Sequence, residues 1–276
     1  RNLCKTLSIV SIIRKLDLEN SNLITFFLNF FEISNKEFEN SIYELEKLEI
    51  LEIYRKRIVL MNEQCLANYM IYYGIYKNNY INFSNFLYEM FKTYRVYILE
   101  TIRILLNVFR SEEIEDFIKE AIDIVWMKYK KEDKNLYYDF MIYFLQFNET
   151  EVLFYINEII EEISTEDSLT YIGVMELLLK FNGSKYMGEA FELIFELIKK
   201  IPDELNEIAK KIEEGYIGTS NSCRWNYYTE NILVKKLIEN VNTEIICDLF
   251  LKLSNPLLKT SFNPISSGGK NIILYH

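Results

Sequence analysis

Apolar residues recur at helical spacing from the first turn of this chain, and the rhythm changes to that of a strand in one place early on. Leu3, Leu7, Val10 and Ile13 mark one face of a helix that ends near Leu16. Asn20 or Ser21 stands where a cap belongs, ahead of a second helix over 22–31. Ser34 and Glu37 form a Ser-x-x-Glu capping box, and Phe38, Ile42 and Leu45 follow at i, i+4 and i+7. Beyond Leu48 the period shortens. Leu51 and Ile53 alternate with Glu52 and Tyr54, then come the basic triplet Arg55-Lys56-Arg57 and the run Ile58 to Met61. Two β-rich runs around a short polar turn predict a hairpin over 50–62.

Two helices, a capped third helix and a hairpin make the pattern of a small winged-helix domain over 1–62. Every later element reads as helix. The spacing predicts helices over 63–76, 83–94 and 96–109, and one from Ser111, with Glu112 and Glu113 at the positive end of its dipole, to about Lys130. Further starts fall at Lys134, Glu149 or Thr150, Thr165, Ser184, Pro202, Arg224 and Thr243, while Gly183 and Gly215 read as helix-ending glycines. Alternate starts at about 111, 149, 184 and 224 give two helices per 35 to 40 residues. That is the period of αα-hairpin repeats of the HEAT or tetratricopeptide type, although no consensus repeat motif accompanies it and an irregular helical bundle fits as well. The expected class is therefore mainly α, with a helical-repeat domain over 63–262. We expect a loop and the start of a strand over 263–276.

Composition agrees. Half the residues are hydrophobic and 26% are charged, with only 8 Gly and 3 Pro in 276 residues. That is the composition of a globular, mostly helical chain. Net charge is −10, with nine basic and nine acidic residues over 1–62 and all of the excess acid beyond. Such a balance argues against a general binder of nucleic acid or anionic membrane. Cys4, Cys65, Cys223 and Cys247 are far apart and form no CxxC, so we expect reduced thiols in a cytoplasmic protein. No apolar run approaches a membrane span, and no signal peptide opens the chain. Asn-x-Ser/Thr sequons at Asn82, Asn148 and Asn182 are expected by chance in a chain this rich in Asn. Both ends look cut, so we expect a piece of a longer protein.

Little of the chain suggests catalysis. Ser267-Gly268-Gly269-Lys270 lacks the spacing of a phosphate loop, because Pro264 stands where its first Gly belongs and Asn271 follows the Lys. His276 is the only histidine, which removes His-dependent triads and nearly all zinc chemistry. Paired acids such as Glu161-Glu162 and Glu213-Glu214 read as solvated helix faces. We expect no cofactor and no metal.

Four features are candidates for binding. The third helix of a winged helix enters a DNA groove in regulators that use it, but its exposed positions here, Glu37, Asn40, Ser41, Glu44 and Lys47, lie in a span with five Glu against two Lys. Specific DNA binding is therefore not expected. The basic turn Arg55, Lys56 and Arg57 can meet a phosphate or stand as a solvated hairpin tip. The stripe Tyr69, Tyr72, Tyr73 and Tyr76, with Tyr137, Phe140, Phe144 and Phe147 in part, can line a partner groove or pack between helices. The polar loop 215–228 carries Trp225, Tyr227 and Tyr228, aromatics of the kind enriched in binding hot spots. Against this, Trp225 can equally open the next helix and pack inward.

The order Leu45-x-x-Leu48-Glu49-Ile50-Leu51-Glu52-Ile53, then Arg57-Ile58-Val59-Leu60-Met61-Asn62-Glu63-Gln64-x-Leu66-Ala67-x-Tyr69, resembles the winged helix of large bacterial STAND-type ATPases, among them the Avs-like antiviral defence proteins. There a short hairpin leads into a helix opening like Gln-x-Leu-Ala-x-Tyr, and a long helical region follows. The Tyr186-to-Ala209 stretch is similar too. The resemblance implies a nucleotide-binding domain upstream of Arg1, a winged helix packed on that ATPase domain, and helical repeats that sense a protein partner. No Walker motif is present, so no ATPase residue is carried over. The expected function is a non-catalytic interaction or sensor segment; the alternative is a DNA-binding winged-helix transcriptional regulator.

Overall fold

The computed structural model describes residues 1–163, 168–217 and 228–262. These are mainly helical and fall into two compact units, 1–141 and 142–276. The first unit therefore runs far past residue 62, because the helices that follow the hairpin pack onto the helix that opens the chain. The division itself falls within a helix, Lys134–Phe144.

The first unit is built around α1 (Asn2–Ile13). The apolar stripe in the sequence suggests a one-sided helix, yet every residue from Lys5 to Ile13 is buried, Ser8 and Ser11 included. Helices α2 (Ser21–Phe31), α3 (Asn35–Lys47), α4 (Gln64–Tyr72) and α6 (Arg95–Val108) all contact it. A helix surrounded on all sides must settle its polar groups internally. Ser11 donates to the Leu7 carbonyl at 2.6 Å, and Ser8 donates to the Met70 carbonyl on α4 at 2.9 Å. Buried Lys5 donates to the Phe31 carbonyl at the end of α2, where the helix dipole is negative. Burial lowers the Lys5 pKa.

Helix α1 ends at Ile13, short of Leu16. Residues Lys15–Asp17 form a strand, β1, which pairs antiparallel with β3 (Ile58–Met61), and β3 pairs antiparallel with β2 (Leu51–Tyr54). The sheet order is β1-β3-β2. A three-residue strand has no alternation long enough to read, and only its distant partner creates it. Leu16, Val59 and Leu51 face the core, while Lys15, Leu60 and Glu52 form one row of the outer face and Asp17, Ile58 and Tyr54 the next. The capping box is formed, with the Ser34 hydroxyl accepting from the Glu37 amide at 3.3 Å and Glu37 accepting from the Ser34 amide at 3.0 Å. Of the α3 positions expected outside, Ser41 is buried, because it lies next to Ile42 and Leu45 on the side facing α1.

Helix α4 does not run smoothly to Tyr76. Its last turn, Tyr73–Lys77, widens to π geometry. Helices α5 (Phe83–Thr93) and α7 (Glu112–Glu132) complete the unit together with α8 (Lys134–Phe144) as far as Met141. Their core is aromatic. Trp126, Tyr129, Tyr137 and Phe140 are buried, and Trp126 Nε1 donates to the Tyr137 hydroxyl at 3.2 Å.

In the second unit, α9 (Glu149–Glu162), α11 (Met187–Lys200) and α13 (Tyr228–Glu239) pack in one row. Helices α10 (Ser168–Leu179), α12 (Leu205–Tyr216) and α14 (Glu244–Phe262) pack in another. Helix α11 begins at Met187, three residues after the expected Ser184, whose hydroxyl instead accepts from the Tyr186 amide in the turn. Pro202 opens a 3-10 turn ahead of α12. Gly183 has φ +83°, as a helix-ending glycine should. Gly215 does not end its helix: α12 continues to Tyr216, and Leu179 presses against the space a Cβ would fill. Expected starts at Thr165 and Arg224 lie outside the described residues.

Candidate functional site

Of the sequence candidates, the basic turn is the most clearly built. Arg57 N–H donates to the Tyr54 carbonyl at 3.1 Å, closing a two-residue turn on Arg55 and Lys56. Arg55 has φ 53° and Lys56 has φ 55°. Both positions of this turn type favour Asn and Gly, because a Cβ in left-handed backbone costs about 1–2 kcal/mol per residue. The hairpin holds two cations in a conformation they do not prefer.

The three cations of the triplet do different things. Arg57 forms a bidentate pair with Asp17, at 2.9 Å to Oδ1 and 2.6 Å to Oδ2, and meets Glu19 at 2.8 Å. That hydrogen-bonded guanidinium lowers the Asp17 pKa. Arg57 is thus a brace between the hairpin and β1. Arg55 and Lys56 are exposed and, with Lys15 on β1, take part in no ion pair among the described residues. The Arg55 guanidinium lies 5.2 Å from the Tyr54 ring centre. Lys15, Tyr54, Arg55, Arg57, Ile58 and Leu60 line an open hollow of about 580 Å³ on the outer face of the sheet. The sequence named the triplet but missed Lys15, which reaches this hollow only through the pairing of β1 with β3, and Tyr54, which stands opposite Ile58 in the hairpin.

The α3 surface is acidic as expected. Glu37, Asn40, Glu44 and Lys47 are exposed. Glu37 accepts from the Ser34 hydroxyl and amide and from Asn2 Nδ2 at 3.0 Å, and these bonds lower its pKa.

The tyrosine stripe on α4 is mostly interhelical packing. Tyr72 stacks on Phe109 at 4.7 Å, and Tyr76 meets Phe117 edge-on at 5.3 Å. Tyr69 is the exposed member. Tyr137, Phe140 and Phe144 are core. Trp225 and Tyr227 lie outside the described residues. Tyr228 is exposed at the first turn of α13.

One surface in the second unit went unseen in the sequence. A cleft of about 340 Å³ opens between α9 and α11. From α9 come Thr150, Leu153, Phe154 and Asn157, at i, i+3, i+4 and i+7. From the α11 side come Tyr186, Glu189, Glu192 and Leu193. Phe154 is 66% exposed. Periodicity sets it on the polar face of α9, opposite Val152, Ile156 and Ile160, and only the placement of α11 makes that face one wall of a cleft.

No group of three His, Cys, Asp or Glu among the described residues is placed to hold a metal ion. Cys4, Cys65 and Cys247 carry free thiols. No described helix is long and apolar enough to cross a membrane. Comparison with protein-family models, with curated protein sequences and with solved structures finds no match.

Proposed function

We propose that this chain is a non-catalytic interaction segment of a larger STAND-type NTPase, with a winged helix that docks on an ATPase domain of the parent chain and helical repeats that bind a protein partner. The observation that carries the reading is the two-row packing of the second unit. One row starts at residues 149, 187 and 228 and the other at 168, 205 and 244. Successive members of a row thus start about 40 residues apart, the spacing of helical-pair repeats, which expose long surfaces suited to proteins. In the first unit, the order α1-β1-α2-α3-β2-β3 with sheet order β1-β3-β2 supports the winged-helix reading. The acidic α3 favours a protein over DNA as its neighbour.

Selection from a displayed peptide library against the purified chain tests this reading. Ligands binding at micromolar affinity or tighter support it. Turnover of ATP above a blank by this chain alone would count against it. The exposed cations Lys15, Arg55 and Lys56 favour a second reading, a DNA-binding regulator. A duplex bound at nanomolar affinity at physiological salt would move the assignment there.

A further inference from the structure

We infer that the cleft between α9 and α11 receives one cationic amphipathic helix of a partner protein. This inference rests on reading the chain as an interaction segment and names the surface and the chemistry of the ligand.

The floor of the cleft is apolar. Leu153 and Leu193 form it, Tyr186 closes one end, and Phe154 stands exposed on the lip. A large aromatic left in water beside an apolar hollow is unfavourable. It also has the shape of an anchor, since aromatics in pockets dominate binding interfaces. The two helices are 14 residues each, so each runs about 21 Å, or four turns. On α9 the lining positions share one face, with Leu153 and Phe154 apolar between Thr150 and Asn157, and on the α11 side Tyr186 and Leu193 stand seven residues apart. A ligand helix laid along them would present its own apolar stripe at i, i+3, i+4 and i+7, the helix-in-groove mode.

Charge selects among such helices. Glu189 lines the cleft, is exposed, and takes part in no ion pair among the described residues. Glu192 lines it too, 55% exposed although Lys236 of α13 pairs with it. Glu161 and Glu196 stand exposed one turn further along α9 and α11. Four cations stand close by, and all are engaged: Lys185 lies over the Tyr186 ring at 4.8 Å, Lys236 is held by Glu192 and Glu239, Lys199 pairs with Glu196 at 2.7 Å, and Lys200 donates to the Glu161 carbonyl at 2.8 Å. From residue 142 onward the chain carries 20 Asp and Glu against 12 Lys and Arg. A ligand with Lys or Arg flanking its apolar stripe is drawn to this surface, and an acidic one is repelled.

The probe is a labelled 15-residue peptide with Leu at i, i+3, i+4 and i+7 and Lys at the flanking positions. Controls carry Glu in place of Lys, or the same residues with the Leu stripe scrambled. Titrated by anisotropy into the intact chain, the basic amphipathic peptide should bind one to one, at least tenfold tighter than either control. Phe154→Asp should weaken it at least tenfold, and Glu189→Lys at least threefold. Both positions are exposed, and circular dichroism checks that the variants fold. Tyr54→Asp, on the other unit, should leave binding unchanged. Equal binding of the scrambled peptide, or indifference to Phe154→Asp, overturns the inference. So does a concentration-dependent dimer of the chain that Phe154→Asp dissociates, which would assign the cleft to a second copy. Library ligands that bind while the basic peptide does not would overturn this cleft and leave the interaction-segment reading standing.

Discussion

Two glycines separate what a residue type says from what its neighbours require. Gly74 sits where α4 widens, against α1, and a Cβ there would come within 2.8 Å of the Ser8 Cβ. Ser8 is short and anchored in a helix buried on every side, so it has nowhere to go. Gly215 faces the Leu179 side chain, where Cδ2 would lie at 2.6 Å, and that methyl can rotate away. Gly74→Ala should destabilise the first unit by about 1–3 kcal/mol, the cost of overpacking. Gly215→Ala should cost much less, since Ala gains about 1 kcal/mol over Gly inside a helix. Urea unfolding of the two variants checks the contrast, and equal losses would refute it. Asn182 carries the same lesson. Its amide donates to the Gly215 carbonyl at 2.8 Å and its oxygen accepts from Thr229 at 2.8 Å, tying α12 and α13 to the end of α10.

The hairpin is the element whose sequence and geometry disagree most. Its strands were legible from alternation and its turn from the polar triplet. The left-handed backbone at Arg55 and Lys56 was not, because nothing about Arg or Lys asks for it. The two-residue length of the loop and the twist of the strands impose it. Replacing Arg55→Asn and Lys56→Gly together supplies the residues this turn prefers and should raise stability by about 1–2 kcal/mol in urea unfolding. A loss of stability would mean that the stacking of Arg55 on Tyr54 outweighs the strain. Helix starts are legible wherever a side chain makes the cap: Asn20, Ser34, Asn82 and Ser111 each accept from the amide three residues on. The start at Met187 was misplaced because Ser184 caps a turn and not a helix.

At the scale of the whole chain, the division after Met141 is the finding with thermodynamic content. Each unit has its own core, so each should unfold with its own midpoint. Trp126 is buried in the first unit, and Ile194 is fully buried in the second. In a Trp225→Phe background Trp126 is the only tryptophan left, since the chain has two. Ile194→Ala should cost the second unit about 2–5 kcal/mol. The Trp126 fluorescence transition should then stay in place while the helical signal loses amplitude earlier in denaturant. A common shift of both signals would show a single cooperative molecule.

The sequence by itself determined the helical class, nearly every helix, the hairpin and the acidic balance, because these rest on local spacing, side-chain caps and charge, which act within a turn or two of the chain. Tertiary structure alone decided that α1 is buried all round, that Lys15–Asp17 is a strand, that Ser41 points inward and that Phe154 lines a cleft with α11. Each of these depends on a partner distant in sequence: α4 for α1, β3 for Lys15–Asp17, α1 for Ser41, α11 for Phe154. An apolar residue at helical spacing says that something should cover it. Which surface does so, or that none does, is set by packing between elements, and no local pattern encodes that.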